Sequence, residues 1–194
     1  MPDSSATKRA LAIALKELMR EKPLVKISIA DIVGRCGMNR QSFYYHFRDK
    51  YDLVNWIFYT ELITELKRSE NASEWEELGN ILDYLYQNRS FYINALKFNG
   101  QNSFYEYFGE VIYQILQVAF AATFEDTDQS EFNAMFYADA LRACICRWLS
   151  GGARQEPDEL LRKIRGAFNV DIREAELDRF RRGAQSAAQQ LPWT

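Results

Sequence analysis

An all-α chain, with a small three-helix N-terminal head and a larger helical body, is what this sequence predicts, and three observations carry that expectation. Apolar residues recur at the spacing of one helix face in segment after segment. Residues that stop and start helices separate those segments: Pro23, then Gly37-Met38-Asn39, then Asn99-Gly100-Gln101-Asn102, then Gly151-Gly152. Charge is also divided along the chain. Residues 1–50 hold ten Lys/Arg and five Asp/Glu, a balance of +5, whereas residues 51–194 hold fourteen and twenty-two, a balance of −8. A head of residues 1–50 and a body of residues 51–194 follow from that division, and 194 residues at 47% hydrophobic content suffice to bury a full core.

The first helix, about Ala6 to Glu21, turns Leu11, Ala14, Leu15, Leu18 and Met19 inward and ends before Pro23. Its Lys8, Arg9, Lys16 and Arg20 lie elsewhere on the helix, where meeting phosphates and keeping the surface solvated are equally good uses for each. Pro23 to Ile27 is a short connector. Ser28 then stands before Ile29, Ile32, Val33 and Cys36 at helical spacing; its hydroxyl can accept from the amide of Asp31, whose carboxylate favours a helix start. Gly37 supplies a backbone free to take positive φ, Met38 packs the turn, and Asn39 caps another helix running from Arg40 to about Phe47.

In that helix Phe43 and Phe47 are four apart and face inward. Gln41 and Tyr45 must therefore face away, with Ser42 and Tyr44 on the flanks. Helix, glycine turn and a helix presenting Arg, Gln, Ser and Tyr make a rigid rod whose polar groups can reach base edges and phosphates in a major groove. An ordinary helical hairpin with a polar face has the same spacing. The basic head on an acidic body separates the two, because it concentrates the attraction for phosphate where the rod lies.

The segment resembles the DNA-binding domain of TetR/AcrR-family transcriptional regulators over roughly residues 8 to 55. Ser28, Ile32, Val33, Gly37, Met38, the run Ser42-Phe43-Tyr44-Tyr45-His46-Phe47, Asp49-Lys50 and Leu53 carry the resemblance. It implies that the first helix braces the motif, the third enters the major groove and the fourth leads to a helical effector domain. It further implies that Ser28, Tyr44, His46 and Lys50 hold phosphates, while Arg40, Gln41, Ser42 and Tyr45 lie nearest the bases.

A helix from about Tyr51 to Arg68 is apolar on more than one side, through Leu53, Val54, Trp56, Ile57, Phe58, Leu62, Ile63 and Leu66, which suits a connector between head and body. Ser73 with Glu76 forms a capping box for a helix to about Asn88 carrying Trp75, Leu78, Ile81, Leu82 and Leu85; a shorter helix spans Ser90 to Phe98. Ser103 opens the next, striped by Phe104, Phe108, Val111, Ile115 and Val118 up to about Phe124. After an acidic turn at Glu125 to Gln129, a helix from Ser130 to Ser150 carries Phe132, Met135, Ala138, Leu141, Ile145 and Trp148 and is closed by Gly151-Gly152; Pro157 begins another, with Leu160, Leu161, Ile164 and Phe168. In the tail Asp171 to Thr194, Leu177, Phe180, Ala184, Ala187 and Leu191 would line a further helix, with a frayed end.

In TetR-family proteins the pair of helices placed like Ser130–Ser150 and Pro157–Phe168 forms a four-helix bundle with a second subunit. The resemblance thus implies a dimer interface at Ala138, Leu141, Ile145, Trp148, Leu161 and Ile164. Small Ala134, Ala138, Ala140 and Ala143 would let helices approach closely, in that bundle or inside the chain alike. A homodimer also doubles the contacts of one helix-turn-helix on palindromic duplex DNA, with recognition helices about 34 Å apart. The run WEELGNILDYLYQNRSFYINAL and the GQNSFYEYF stretch after it, within about residues 70 to 110, resemble a subgroup of the family related to the regulator of dihydroxyacetone kinase operons, in which control is exerted through a partner protein and the effect is activation. The effector is accordingly a small molecule or a protein. Tyr84, Phe91, Tyr92, Phe98, Tyr105 and Phe108 could line an aromatic effector pocket, or simply be core.

Other classes fit less well. An enzyme needs a general base or an activated nucleophile, yet the single histidine, His46, sits in the DNA-facing helix, and no Gly-rich phosphate loop or paired-carboxylate motif is present. A helical protein-interaction module would leave Arg40 to Lys50 without a use. Cys144 and Cys146 are two apart and point to different helix faces, so no disulfide is expected; with one histidine and no Cys-x-x-Cys pair a zinc site has little to be built from, and no cofactor is implied. No apolar run approaches the roughly 18 residues of a membrane span, and no signal-peptide pattern opens the chain, so a cytoplasmic protein is expected.

Overall fold

The computed structural model describes residues 4–68, 74–98, 100–121 and 127–168, and every regular element among them is helical. In chain order these are α1 (Ser4–Glu21), a 3-10 turn (Leu24–Lys26), α2 (Ile29–Arg35), α3 (Arg40–His46), α4 (Lys50–Arg68), α5 (Glu74–Gln87), α6 (Arg89–Ala95), α7 (Phe104–Ala121), α8 (Thr127–Ser150) and α9 (Pro157–Phe168). Residues 1–161 form one compact unit and residues 162–194, of which 162–168 are described, belong to a second.

Each short helix of the head is fixed at its ends by the groups that the sequence offers. At the start of α2 the Asp31 amide donates to Ser28 Oγ at 3.2 Å and the Ser28 amide donates back to Asp31 Oδ2 at 2.9 Å, a closed capping box. Lys22 Nζ donates to the same carboxylate oxygen at 2.9 Å. The Ser28 amide first, and Lys22 after it, hold the Asp31 carboxyl down at about 2. Gly37 ends α2 with φ +68°; its amide donates to Gly34 O and the Met38 amide to Val33 O, the paired bonds of a Schellman motif. Asn39 Oδ1 then caps α3 by accepting from the Ser42 amide at 2.8 Å. Arg35 braces α2 on α1 through a forked pair of bonds to Glu21, 2.8 and 2.9 Å long.

The expected inward stripe of α1 is buried in full, and Leu53, Val54, Ile57, Phe58 and Leu62 of α4 are buried as well. Phe58 is the hub of the body: its ring meets those of Tyr92, Phe104, Tyr107 and Phe108 edge-on at 5.2 to 6.4 Å between centroids. Beside it a polar chain runs through four helices. Lys16 (α1) pairs with Glu61 (α4) at 2.7 Å, Glu61 accepts from the Tyr84 hydroxyl (α5), and that hydroxyl meets the Tyr92 hydroxyl (α6). Burial pushes both tyrosine hydroxyls far above their ordinary range.

Helices α7 and α8 pack along each other, and one arginine sits in the seam. Arg142 lies over the Tyr105 ring at 4.7 Å, pairs with Asp139 at 2.7 Å and with Glu106 at 3.7 Å, and occupies the space beside Gly109. A Cβ on Gly109 would stand 2.5 Å from Arg142 Cδ. Helix α8 ends in a second Schellman motif: the Gly152 amide donates to Leu149 O and the Ala153 amide to Trp148 O.

Two expectations are corrected. Helix α8 starts at Thr127, three residues before Ser130, so Thr127 to Gln129 are helical. The apolar stripe of α7 is buried only as far as Val111; Ile115 and Val118 are exposed, as are Phe132 and Met135 on α8. The capping residue Ser73, the turn residues 125 and 126 and the tail 171–194 lie outside the described residues.

Phe58→Ala is expected to cost about 3 to 5 kcal/mol in urea unfolding, because it removes the ring on which four others converge. The Asp31 carboxyl titrates lower in the folded chain than its ordinary 3.8, so its stabilising effect is complete above that pH and is lost as pH falls towards about 2. Calorimetry should accordingly show Asp31→Asn melting below wild type at pH 5, with the gap closing through that acid window.

Candidate nucleic-acid interface

Helix α3 is too short to be stable by itself, and two phenylalanines settle which way it faces. Phe43 is 0% and Phe47 4% exposed, and Trp56 of α4 backs Phe47 edge-on at 5.8 Å. With those rings inward, Arg40, Gln41, Tyr44 and Tyr45 are exposed, Tyr45 to 82% and Tyr44 to 58%, and Ser42 and His46 are half-buried at the margins. The large rings do not collapse onto the surface. Tyr44 stands edge-on to Phe43 at 5.6 Å and Tyr45 edge-on to His46 at 4.9 Å, so both hydroxyls are carried on braced aromatic supports.

The structure gathers Arg40, Gln41, Ser42, Tyr44, Tyr45 and His46 on one helix and puts Ser28, also exposed, at the start of α2. Ser42 has a local task as well, since its hydroxyl donates to Asn39 Oδ1 at 3.1 Å. Ser28 Oγ accepts in the capping box, which uses an oxygen lone pair and not the hydroxyl proton. Lys50 is engaged within its own chain. Its ammonium donates to Leu24 O at 2.7 Å, Val25 O at 3.1 Å and Ile27 O at 2.7 Å, matching three N–H donors with three carbonyls. Burial pulls that ammonium below the usual lysine range.

The aromatic residues expected around an effector pocket have differing surroundings. Tyr84, Phe91, Tyr92 and Phe108 are core residues, Phe98 stacks on Tyr51 of α4 at 3.8 Å, and Tyr105 lies under Arg142. An open cleft of about 460 Å³ is lined by Gly100, Ser103, Tyr105 and Glu106, which includes one member of the set. Of the residues expected at the dimer interface, Ala138, Leu141, Ile145 and Trp148 are buried within the single chain, Ile164 is buried and Leu161 half-buried. Helix α8 carries two apolar stripes. Ala134, Ala138, Leu141, Ile145 and Trp148 form the buried one, and Phe132, Met135 and Phe136, 50 to 57% exposed, form the other. The four-residue step from Phe132 to Phe136 is the sequence signal for the second stripe.

Comparison with known proteins agrees with this geometry. Residues 11–57 match the family model of bacterial regulatory proteins of the tetR family, and residues 73–169 match that of a transcriptional regulator C-terminal region. The HTH-type dhaKLM operon transcriptional activator DhaS of Lactococcus lactis subsp. lactis (strain IL1403) is 26% identical over 151 residues, 76% of this chain and 75% of the relative. Among solved structures, the dihydroxyacetone kinase operon activator DhaS superposes with a TM-score of 0.60 at 23% identity, over 83% of this chain and 93% of that one. NalD, the secondary repressor of the MexAB-OprM multidrug efflux pump in Pseudomonas aeruginosa, gives 0.51 at 19% identity, over 84% and 95%. The two structures share the fold; the two family models, one on the helix-turn-helix head and one on the helical body, show that the chain belongs to the TetR family of bacterial transcriptional regulators.

Proposed function

We propose that this chain is a homodimeric regulator that reads a palindromic operator with the exposed face of α3, residues 1–50 serving as reader and 51–194 as the regulatory and dimerising body. The observation that carries it is the exposure of Arg40, Gln41, Tyr44 and Tyr45 on a helix whose opposite face is anchored by Phe43 and Phe47. Arg40, Gln41, Ser42 and Tyr45 lie nearest the bases in this proposal, and Ser28, Tyr44 and His46 hold phosphates. Lys50 is left out of the contact set because its donors are matched by carbonyls of its own chain. Family membership supports operator DNA as partner and self-association as the working state.

The second copy docks on the outer stripe of α8, where Phe132 and Phe136 stack on each other with 6.2 Å between centroids and Met135 lies beside them. Aromatic and methionine side chains exposed in one subunit are enriched in contacts of this kind. An effector, small molecule or protein, acts on the body to the extent that it favours one of two arrangements of the reader heads. The named relatives are transcriptional regulators, which are not enzymes. Among the described residues no helix is long and apolar enough to cross a membrane.

Selection of bound duplexes from a random pool by the purified chain tests the function directly. An inverted repeat is the expected product; recovery of no preferred sequence would overturn the proposal. On the recovered duplex, Arg40→Ala and Gln41→Ala should each cost about 1 to 3 kcal/mol and relax preference at particular base pairs. Tyr44→Ala should weaken binding to all sequences alike, by about 1.5 to 3 kcal/mol for one hydrogen bond to a charged phosphate, without changing base preference. Phe136→Asp should shift the chain to monomer in sedimentation velocity and lower affinity for the inverted repeat in step.

A further inference from the structure

The connector between α1 and α2 is gripped at one residue, Leu24, by two side chains from different parts of the fold. Asn94 of α6, 9% exposed, accepts the Leu24 amide on Oδ1 at 2.9 Å. Its Nδ2 donates to Met19 O at 3.1 Å and Lys22 O at 3.3 Å, carbonyls at the end of α1. The Leu24 carbonyl is taken in turn by Lys50, and the Leu24 side chain is 1% exposed. A residue with its N–H, its C=O and its side chain all engaged has little freedom left. Asn94 supplies what this place requires, two donors and one acceptor on one short side chain. Aspartate would keep the acceptor and set a charge against two carbonyls. Leucine would leave a buried amide without a partner.

The residues following Asn94 hold the other end of the reader. Phe98 stacks on Tyr51, the Asn102 side chain reaches Asp49 at 3.4 Å, and Asn55 donates to Asn102 O at 3.2 Å. Asp49 is itself the N-terminal cap of α4, accepting from the amides of Tyr51 and Asp52 at 2.8 Å. Asn94 and Asn102 of the body therefore touch the reader before α2 and again after α3.

We infer that Asn94 is a positioning residue for operator recognition: through the Leu24 peptide and the end of α1 it holds the α2–α3 pair at one orientation to the body. It touches no DNA in this scheme. The inference rests on the proposed dimeric reading of an inverted repeat, because only a duplex engaged by both heads at once demands that their mutual orientation be held. A duplex engaged by one head makes no such demand. Asn94 therefore governs the difference between full-site and half-site affinity, and leaves the base preference of α3 as it was.

The test uses the full chain and the duplex recovered from the random pool by wild type. Asn94→Asp and Asn94→Leu are titrated by fluorescence anisotropy against the full inverted repeat and against a duplex containing one half-site. Affinity for the full site should fall about tenfold or more, while half-site affinity and its salt slope stay at the wild-type value. Equal losses on both duplexes, or no loss on either, would overturn the assignment. Because both variants could fail to fold, amide exchange on wild type gives an independent reading. The Leu24 amide should be among the protected ones and gain further protection on the full site only; exchange at the rate of an unprotected amide would sink the clamp. Should wild type recover no inverted repeat, the dimeric reading fails first, and that failure is visible before any variant is made.

Discussion

Everything that the head presents to a partner depends on the burial of Phe43 and Phe47. A seven-residue helix gains too little from its own hydrogen bonds to persist in water, so its existence and its rotation about its axis both come from what it packs against. Two rings four residues apart fix that rotation, since a helix with both inward has a single remaining outward direction. The outward identities then decide the chemistry: a guanidinium, an amide and two phenols, with the phenols held upright by edge-on contacts to Phe43 and His46. Which side chains α3 presents is thus decided by packing before it is decided by polar groups.

The body extends the same logic with aromatic rings and adds buried polar contacts. The rings around Phe58 supply cohesion but little direction, because edge-on contacts at 5 to 6 Å tolerate small rotations. Direction comes from hydrogen bonds with few solutions, such as the chain from Lys16 through Glu61 and Tyr84 to Tyr92 and the three bonds of Asn94. A buried polar network that is fully satisfied specifies one arrangement among several of similar packing energy. Both sets of bonds connect α1 to later helices of the chain.

Much of this architecture is legible in the residues, and the legible parts share a property. The capping box at Ser28, the turn at Gly37, the cap at Asn39, the stop at Gly151-Gly152 and the start at Pro157 are local, so their physics is complete within a few residues. Long-range placements are harder. Nothing near Lys50 in sequence tells that the connector folds back over it and offers three carbonyls from residues 24 to 27. Asn94 carries no signal at all, being one asparagine in an apolar segment whose partners lie about seventy positions or more away in sequence. On α8 the periodicity is present but merged: spacing groups Phe132 and Met135 with Ala138 and Leu141, although a shift of about half a turn separates a buried stripe from an exposed one. The aromatic set of the body illustrates a further limit, since composition marks rings as apolar without telling whether they surround a space or fill it.

The arginine lodged between α7 and α8 has a mechanical corollary. Its guanidinium lies in a notch that exists because residue 109 has no side chain, and it is tied on either side to Asp139 and Glu106. Sliding one helix along the other would carry the bare backbone of Gly109 out from beside that group and part the charge pair with Glu106. One axial register of the two helices is therefore favoured over its neighbours, because only there does the arginine find both its seat beside residue 109 and its carboxylate on the facing helix.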